Sequence, residues 1–435
     1  MKSEKFIELL NREIVVAMGC TEPAASALAG ARASQLLEGD CDSAVIETSR
    51  DMVKNAMGVG IPNCPQKGIT IAVALGIAGG NISNGLGILS DVNDEQREKA
   101  INIPVELIMV EDVPPLYIKV TCKNDKHSSC AIISGTHSNF SYLEKDGDVI
   151  IDEPLNAYCS LNTDVLDSTF MAAVEVEDII EFSNHIPKET AELLLKAAKT
   201  NLVIAHHALK EDYGLSVGKV SYEGLHEPPE DLNEAFALGA TLAAAASDAR
   251  MAGCPLPVVI NSGSGNQGIT ITVPLYIMGQ YLEKSDEEIA KALCIGELIG
   301  LSLTARKDRL SALCGAFTAS IATSCGLVYL MGGKCDVMNK AINIMIGNLT
   351  GIICDGAKMT CALKIYSCIE SAALATKLAI RGIGPSLESG IVGNDCKQSF
   401  DFLSRISHEG MEQTDRTILS IMLEKQSNKI KNKNL

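Results

Sequence analysis

Apolar residues recur with helical spacing at the start of the chain. Five of them fall on one helical face within residues 3–17: Phe6, Ile7, Leu10, Ile14 and Val15. Gly19 is expected to end this helix. Thr21 is expected to cap a second helix that runs to about Leu37, with Pro23 in its first turn, where its missing N–H costs nothing. The pattern therefore predicts two helices in the first forty residues.

Short apolar segments bounded by turn residues follow and indicate β-strands. They cover residues 44–48, 105–110, 116–122, 129–134, 140–143 and 149–151. Helical patterns at 68–79 and 94–101 lie between them. We interpret residues 42–155 as an α+β domain.

The pattern then becomes helical again. The predicted helices cover residues 165–183, 189–209, 231–252, 287–303, 310–330 and 336–346. The expected fold class is α+β, with a discontinuous, mainly helical domain formed by 1–41 and 156–435 and the α+β domain inserted at 42–155. Residues 310–333 carry no charge, but their Ser, Thr, Gly and Cys content favours a buried core helix over a membrane span.

Composition narrows the functional classes. The 435 residues are 46% hydrophobic and 21% charged, as in globular proteins, and the net charge of −17 argues against a nucleic-acid partner. Residues 1–15 carry acids within their apolar pattern, so we expect no signal peptide and a cytoplasmic, reducing location. The fifteen cysteines are then expected to be free thiols, most of them in the core. An oligomer is compatible with the sequence.

A polar, glycine-dense loop precedes the apolar run 269–275. It contains Asn261, Ser262, Gly263, Ser264, Gly265, Asn266 and Gln267. Such a loop exposes several backbone N–H groups and suits a small anionic substrate, although a flexible turn explains it equally well. It lacks the Gly-Lys-Ser/Thr ending of a nucleotide-binding P-loop.

Other polar residues are candidates for chemistry. Asp248 and Arg250 form an isolated charged pair in an Ala-rich helix, where they orient a ligand or only pin the helix end. His137 follows a predicted strand and either contacts substrate, moves a proton or is structural.

Four cysteines have distinctive surroundings. Cys20 lies just before a predicted helix, whose N-terminus favours a thiolate. Cys314, Cys354 and Cys361 lie far downstream. In a continuous helix, the Cα atoms of Cys354 and Cys361 would be about 10 Å apart, but Asp355-Gly356 offers a turn that brings them closer. Spacing alone favours ordinary core cysteines.

Seven motifs occur in an order that resembles a known family. They are MGCTEP, VKNAMGV, AASDARM, NSGSGNQGIT, RLSALC, ICDGA and EQTDR. Together they resemble the L-cysteine desulfidases, of the serine-dehydratase-like α family, over nearly the whole chain. The resemblance implies an oxygen-sensitive [4Fe–4S] lyase without pyridoxal phosphate, which converts L-cysteine and water to pyruvate, ammonia and hydrogen sulfide. The expected partner is then a small-molecule amino-acid substrate.

The resemblance also implies roles for residues of this chain. Cys314, Cys354 and Cys361 would be the cluster ligands, and Cys20 a catalytic base or a transient fourth ligand. The substrate carboxylate would rest on the 261–267 loop, with Arg250 nearby. Lys54 and His137 are candidates for proton transfer, and Asn55 for substrate contact. Cys64 departs from the family pattern, and we interpret it as incidental rather than as a rival of Cys20.

Two other functions remain open at the level of sequence. The same scaffold can eliminate water from L-serine or a related 2-amino acid. A non-catalytic metal- or amino-acid-binding protein is the alternative of another class, and it would have a dispensable Cys20 and a cluster that is stable in air.

Overall fold

Helices make up most of the protein, and six strands form one mixed sheet, which confirms the predicted α+β fold class. A computed structural model describes residues 2–153, 169–307, 309–386 and 388–433. The helices are α1 (Lys2–Glu13), α2 (Thr21–Leu36), α3 (Arg50–Ala56), α4 (Ile69–Ile77), α5 (Asp94–Asn102), α6 (Val176–Asn184), α7 (Lys188–Ala208), α8 (Val217–Ser221), α9 (Leu232–Ala252), α10 (Gly265–Tyr281), α11 (Asp286–Lys307), α12 (Gly315–Leu330), α13 (Cys335–Leu349), α14 (Cys361–Ile380), α15 (Cys396–Arg405) and α16 (Glu412–Lys433). The strands are β1 (Val16–Met18), β2 (Ser43–Ser49), β3 (Gly60–Ile61), β4 (Cys64–Lys67), β5 (Val105–Val110), β6 (Tyr117–Lys123), β7 (Ser128–Ser134), β8 (Phe140–Lys145), β9 (Asp148–Asp152) and β10 (Pro257–Val259).

The six predicted strands are confirmed to within two residues at each end. They lie in the order β5-β2-β6-β7-β8-β9, and only β2 and β5 run parallel. The alternation of buried and exposed residues, clearest along β2 and β8, gives the sheet one face for a core.

Helices α2 and α4 cover that face of the sheet. Gly76 of α4 lies against the backbone of Ala27 in α2, so closely that a Cβ at this position would overlap it. One hydrophobic core joins these two helices to the sheet, while a second and larger core joins α1 to the helices that follow residue 170. The division into 1–41 with 156–435 and 42–155 stays a prediction, and the packing groups α2 with the sheet.

The two N-terminal helices are confirmed, with two differences. Residues 16–18, predicted to continue the first helix, instead form β1, because they pair with β10. Cys20, rather than Thr21, is the N-cap of α2, with φ −89° and ψ 138°. Thr21 is the first helical residue, and its hydroxyl donates to the Gly263 carbonyl at 2.9 Å.

The larger core is built by long helices. Predicted helices at 189–209, 231–252, 287–303 and 336–346 are confirmed as α7, α9, α11 and α13. The helix predicted at 165–183 begins outside the described residues, and non-helical residues 174–175 interrupt it before α6.

The uncharged segment at 310–333 is a core helix flanked by loops. Its helix α12 begins at Gly315, later than predicted, and packs against α10, α11, α13 and α14. None of the helices in the described part of the chain has the length and apolar character needed to cross a membrane.

Candidate active site at the N-termini of four helices

A cleft opens where four helices begin. Cys20 caps α2, Ser264 caps α10, Cys314 caps α12, and Cys361 is the first residue of α14; all four line the cleft. The free N–H groups and the dipoles of helix N-termini favour negative charge. The cleft is therefore suited to anions, such as thiolates and a substrate carboxylate.

Cysteine is an unusual choice at two of these N-caps. Serine, threonine, aspartate and asparagine are preferred there because their oxygen accepts a backbone N–H bond. Neither Cys20 nor Cys314 makes such a bond. Both helices thus lack the usual side-chain cap, and both sulfur atoms are left for another role.

Backbone pairing brings two of the downstream cysteines together. Residues 313 and 353 form an antiparallel bridge. The Cys314 N–H donates to the Ile352 carbonyl at 3.1 Å, and the Cys354 N–H donates to the Ala312 carbonyl at 2.7 Å. The expected turn is present at Gly356, whose φ is +86°, and it returns the chain so that Cys361 also lines the cleft.

The three downstream cysteines, Cys314, Cys354 and Cys361, line the same cleft. Among the described residues, one set of three potential ligand atoms lies within 4.8 Å of one another, at the exposed or half-buried His226, Glu230 and Glu234. The sulfur atoms of the three cysteines do not form so close a set. Ligand atoms as close together as those of His226, Glu230 and Glu234 suit a single ion. Thiolates that hold a [4Fe–4S] cluster would each bind a separate iron. Burial and the neighbouring thiols raise the pKa of Cys314, which favours the neutral thiol in the chain alone.

Cys20 contacts a carboxylate that the sequence analysis did not single out. The Cys20 thiol donates to Glu22 Oε2 at 2.8 Å. Burial and the Glu22 charge raise the pKa of Cys20 well above its usual value. In the chain alone, desolvation and the adjacent anion therefore oppose the thiolate that the helix N-terminus favours.

Glu22 joins several of the site residues. Its carboxylate accepts hydrogen bonds from Asn55 Nδ2 at 2.9 Å and from the Cys20 thiol, and the Thr21 hydroxyl oxygen lies 3.1 Å from Glu22 Oε2. Burial acts to raise the pKa of Glu22, but His137 and the Cys20 hydrogen bond lower it, and the net effect is a lowered pKa. Glu22 is thus an ionised hydrogen-bond acceptor inside the cleft.

The glycine-dense loop starts with an ordered tight turn. The Asn261 and Ser264 backbones exchange hydrogen bonds of 3.1 and 2.9 Å, and the two residues between them, Ser262 and Gly263, have φ values of +51° and +78°. Positive φ at both central residues is typical of two-residue hairpin turns. Serine in this conformation costs about 1 kcal/mol, and its hydroxyl donates to Asn261 Oδ1 at 2.7 Å.

Arg250 and Asp248 have different hydrogen-bond partners. Asp248 accepts backbone N–H bonds from Leu215 and Gly218, at 3.2 and 3.0 Å. Arg250 donates to the Gly19 carbonyl at 3.0 Å and to Asn266 Oδ1 at 3.1 Å. Arg250 therefore joins the segment before Cys20 to the glycine-dense loop, while Asp248 holds the start of α8.

Gly265→Ala is expected to disturb this connection. A Cβ at Gly265 would overlap the Arg250 guanidinium, which is buried, so the protein must shift at a cost of about 1–3 kcal/mol. We expect Gly265→Ala to have a lower melting temperature than the wild type and a raised KM for the substrate that binds in the cleft. Gly351→Ala is the matched control, since a Cβ there would meet open space; equal effects of both substitutions would contradict the assignment.

His137 enters the cleft from the sheet. It follows β7, and its ring lies against Gly263, where a Cβ would be 2.9 Å from the imidazole. Its Nε2 is buried and has no hydrogen-bond partner in the described part of the chain. Burial lowers the pKa of His137, so the ring is neutral near pH 7 and able to accept a proton.

Lys54 and Asn55 are neighbours in sequence but face different surroundings. Asn55 lines the cleft, and its Oδ1 is buried without a partner among the described residues. The Lys54 ammonium is bound to Asp415 and lies 3.7 Å from Asp51, and Lys54 is not among the lining residues. Cys64 does not line the cleft either.

Most of the predicted site residues line the cleft. They are Cys20, Asn55, His137, Arg250, Ser262, Gly263, Ser264, Asn266, Gln267, Cys314, Cys354 and Cys361. Asn261 and Gly265 lie in the same loop without lining it. Sequence reasoning missed Glu22 and the basic residues Lys307, Arg309 and Lys364.

One of the missed residues, Arg309, pairs with the N-terminal helix. Its guanidinium donates to both carboxylate oxygens of Glu13, at 3.0 and 2.8 Å. This pair joins α1 to the segment that leads to Cys314. No local sequence pattern indicates this ion pair, because Glu13 and Arg309 are almost 300 positions apart.

A buried acid lies behind the glycine-dense loop. Glu297 of α11 is fully buried, and its Oε2 accepts a hydrogen bond from Asn261 Nδ2. Burial raises the pKa of Glu297 to about 8. The carboxyl group is thus uncharged at neutral pH. Its ionisable neighbour Cys294 does not titrate in this range, since burial raises the pKa of that thiol to about 12.

Glu297→Gln is expected to flatten the dependence of stability on pH. The unfolded chain loses this proton near pH 4.3, whereas the folded protein keeps it up to about pH 8. Stability is therefore lost as pH rises between these values, at about 1.4 kcal/mol per pH unit. The melting temperature of Glu297→Gln should rise relative to that of the wild type between about pH 5 and 8. A difference in melting temperature that stays constant over this range would contradict the raised pKa of Glu297.

Comparisons with known proteins support the coarser part of the resemblance, the serine-dehydratase-like α family. The family described as "Serine dehydratase alpha chain" matches residues 83–420. A protein of Oleidesulfovibrio alaskensis named "UPF0597 protein" is 39% identical over 427 residues, which are 97% of this chain and 98% of the relative. "UPF0597 protein" relatives from Clostridium perfringens and Porphyromonas gingivalis are each 36% identical, over 98% and 97% of this chain and 99% and 98% of their own lengths. The chain belongs to the serine dehydratase alpha chain family.

Proposed function

We propose that the protein is a cytoplasmic [4Fe–4S] lyase that eliminates sulfide from L-cysteine, giving pyruvate, ammonia and hydrogen sulfide. The observation that carries this proposal is the convergence of three cysteine thiols and four helix N-termini on one cleft. The fourteen cysteines that the structure describes are all free, which agrees with a reducing compartment.

Cys314, Cys354 and Cys361 would hold the cluster. With three protein thiolates, a cluster of this kind supplies one open iron as a Lewis acid for a departing sulfur. The N-termini of α12 and α14 would stabilise the thiolates of Cys314 and Cys361.

The glycine-dense loop would bind the substrate carboxylate. Ser262, Gly263 and Ser264 line the cleft, and α10 begins directly behind them, so its free N–H groups are available to an anion. Arg250 holds Asn266 in place and would act mainly by ordering this loop.

The remaining residues would handle the proton. β-Elimination requires the removal of a proton from Cα, and the general base must reach that proton. Neutral His137, whose Nε2 is unpartnered among the described residues, and Cys20, whose thiol donates a hydrogen bond to Glu22, face the same cleft. Lys54 would act indirectly, since its ammonium is bound to Asp415.

L-Serine is the second candidate substrate, because the family description names serine dehydratase. Both reactions share the carboxylate site and the proton on Cα, and they differ in the leaving group. The test is anaerobic purification, measurement of iron and acid-labile sulfide, and comparison of kcat/KM for pyruvate formation from the two amino acids. We expect a loaded cluster and a preference for L-cysteine; a preference for L-serine would overturn the substrate, and a protein without iron would overturn the cofactor.

A further inference from the structure

One face of α11 supports the glycine-dense loop from behind. Glu297, Gly300 and Thr304 share this face because they are three and four residues apart. The Thr304 hydroxyl donates to Gln267 Oε1 at 3.2 Å. A Cβ at Gly300 would lie 3.4 Å from Asn261 Nδ2. This face thus contacts both ends of the loop.

Glu297 is hydrogen-bonded to Asn261, the first residue of the loop. Asn261 Nδ2 donates to Glu297 Oε2 and also to the Glu297 carbonyl at 3.1 Å. Both acceptors orient the amide so that its Oδ1 receives the Ser262 hydroxyl at 2.7 Å. A chain of hydrogen bonds therefore runs from the core of α11 to the strained turn at the cleft.

The environment of Glu297 is costly for a purely structural carboxyl group. The residue is fully buried, its Oε1 has no hydrogen-bond partner among the described residues, and Asn261 is the one side chain that shifts its pKa besides burial. Burying a polar group without a full set of partners costs free energy. An apolar side chain would pack at lower cost but could not accept a hydrogen bond from Asn261.

We propose that Glu297 is a positioning residue that fixes Asn261, and through it the turn at Ser262 and Gly263, in the conformation that receives the substrate carboxylate. The proposal rests on the proposed function in so far as the substrate binds at this loop. Glu297 does not line the cleft, so it acts through Asn261 rather than by contact with the substrate.

The test is hydrogen exchange of the full-length, anaerobically purified protein, combined with steady-state kinetics. Glu297→Leu and Asn261→Ala should both speed exchange in residues 261–268 by about tenfold, the effect of losing about 1.4 kcal/mol. Glu297→Gln keeps an acceptor for Asn261 and should exchange like the wild type at pH 7. For L-cysteine, Glu297→Leu should raise KM about tenfold and change kcat little, as expected when ground-state binding is lost.

Leu298→Ala is the matched control, since Leu298 is equally buried and adjacent in α11. It should lower the melting temperature without a selective effect on the loop. Unchanged loop exchange in Glu297→Leu, an equal loop effect in Leu298→Ala, or a Glu297→Gln variant as impaired as Glu297→Leu would each overturn the positioning role. If the wild type lacked lyase activity, the proposed function would fail, while the exchange measurements would still decide the role of Glu297.

Discussion

Cys354→Ser is expected to abolish cluster binding, with less than about a tenth of the wild-type iron retained. The substitution replaces the sulfur by a smaller oxygen, and the backbone hydrogen bond from residue 354 to the Ala312 carbonyl does not depend on the side chain. Iron–sulfur clusters prefer thiolate ligands, so the loss should be specific to the metal rather than to the fold. Iron and acid-labile sulfide per chain, measured after anaerobic purification, would report it.

Cys368→Ala is a demanding control for this experiment. Cys368 is fully buried in α14, the helix that Cys361 begins, and it lies close enough to influence the pKa of Cys314. It does not line the cleft. The control variant should keep its full iron content. A loaded cluster in Cys354→Ser, or loss of iron in Cys368→Ala, would mean that the ligand set is assigned incorrectly.

Cys20→Ala is expected to retain the cluster but to lose activity by at least about a hundredfold, the usual size of a general-base contribution. Cys20 is buried, and its thiol is bound to Glu22 while it packs near Cys361 and Ala357. Removing the sulfur should leave the three cluster ligands intact. The measurements are kcat for pyruvate formation and iron per chain.

Two comparisons separate the roles open to Cys20. If Cys20 is the base, Cys20→Ala should lose activity while air inactivates its cluster at the wild-type rate. If Cys20 guards an open iron, the cluster of Cys20→Ala should decay faster in air than that of the wild type. Cys64→Ala serves as control, because Cys64 lies outside the cleft. Loss of iron from anaerobic Cys20→Ala would instead make Cys20 a structural ligand.

The sequence predicted the secondary structure well because the signals are local and periodic. All six strands of the sheet were bounded by turn residues, and the long helices of the larger core have apolar faces that repeat over several turns. The error at residues 16–18 has a physical origin: β1 exists through pairing with β10, some 240 positions away. No periodicity within α1 reveals such a partner.

The candidate site was predictable where chemistry is carried by unusual residues. The glycine-dense loop was distinctive by composition, whereas the three downstream cysteines received a role only through the family resemblance; both line one cleft. Glu22 was missed because an acid in the first turn of a helix is common. Only the fold shows that its carboxylate is buried against Cys20 and Asn55.

Lys54 illustrates the limit of reasoning from adjacency. It precedes Asn55 in a helix of seven residues, and consecutive helical side chains point about 100° apart. Asn55 therefore faces the cleft, while Lys54 faces Asp415 of the C-terminal helix. The environment of Cys20 shows a similar limit, since burial rather than the helix N-terminus decides the direction of its pKa shift.

The most direct test of the proposed activity is the stoichiometry of products from L-cysteine. Anaerobically purified wild-type protein would be incubated with L-cysteine, and pyruvate, ammonia and sulfide would be measured over the same time course, with Cys354→Ser prepared in parallel. The proposed function predicts equal amounts of the three products from the wild type and none above background from the variant. Sulfide without matching pyruvate, or equal turnover by Cys354→Ser, would contradict it.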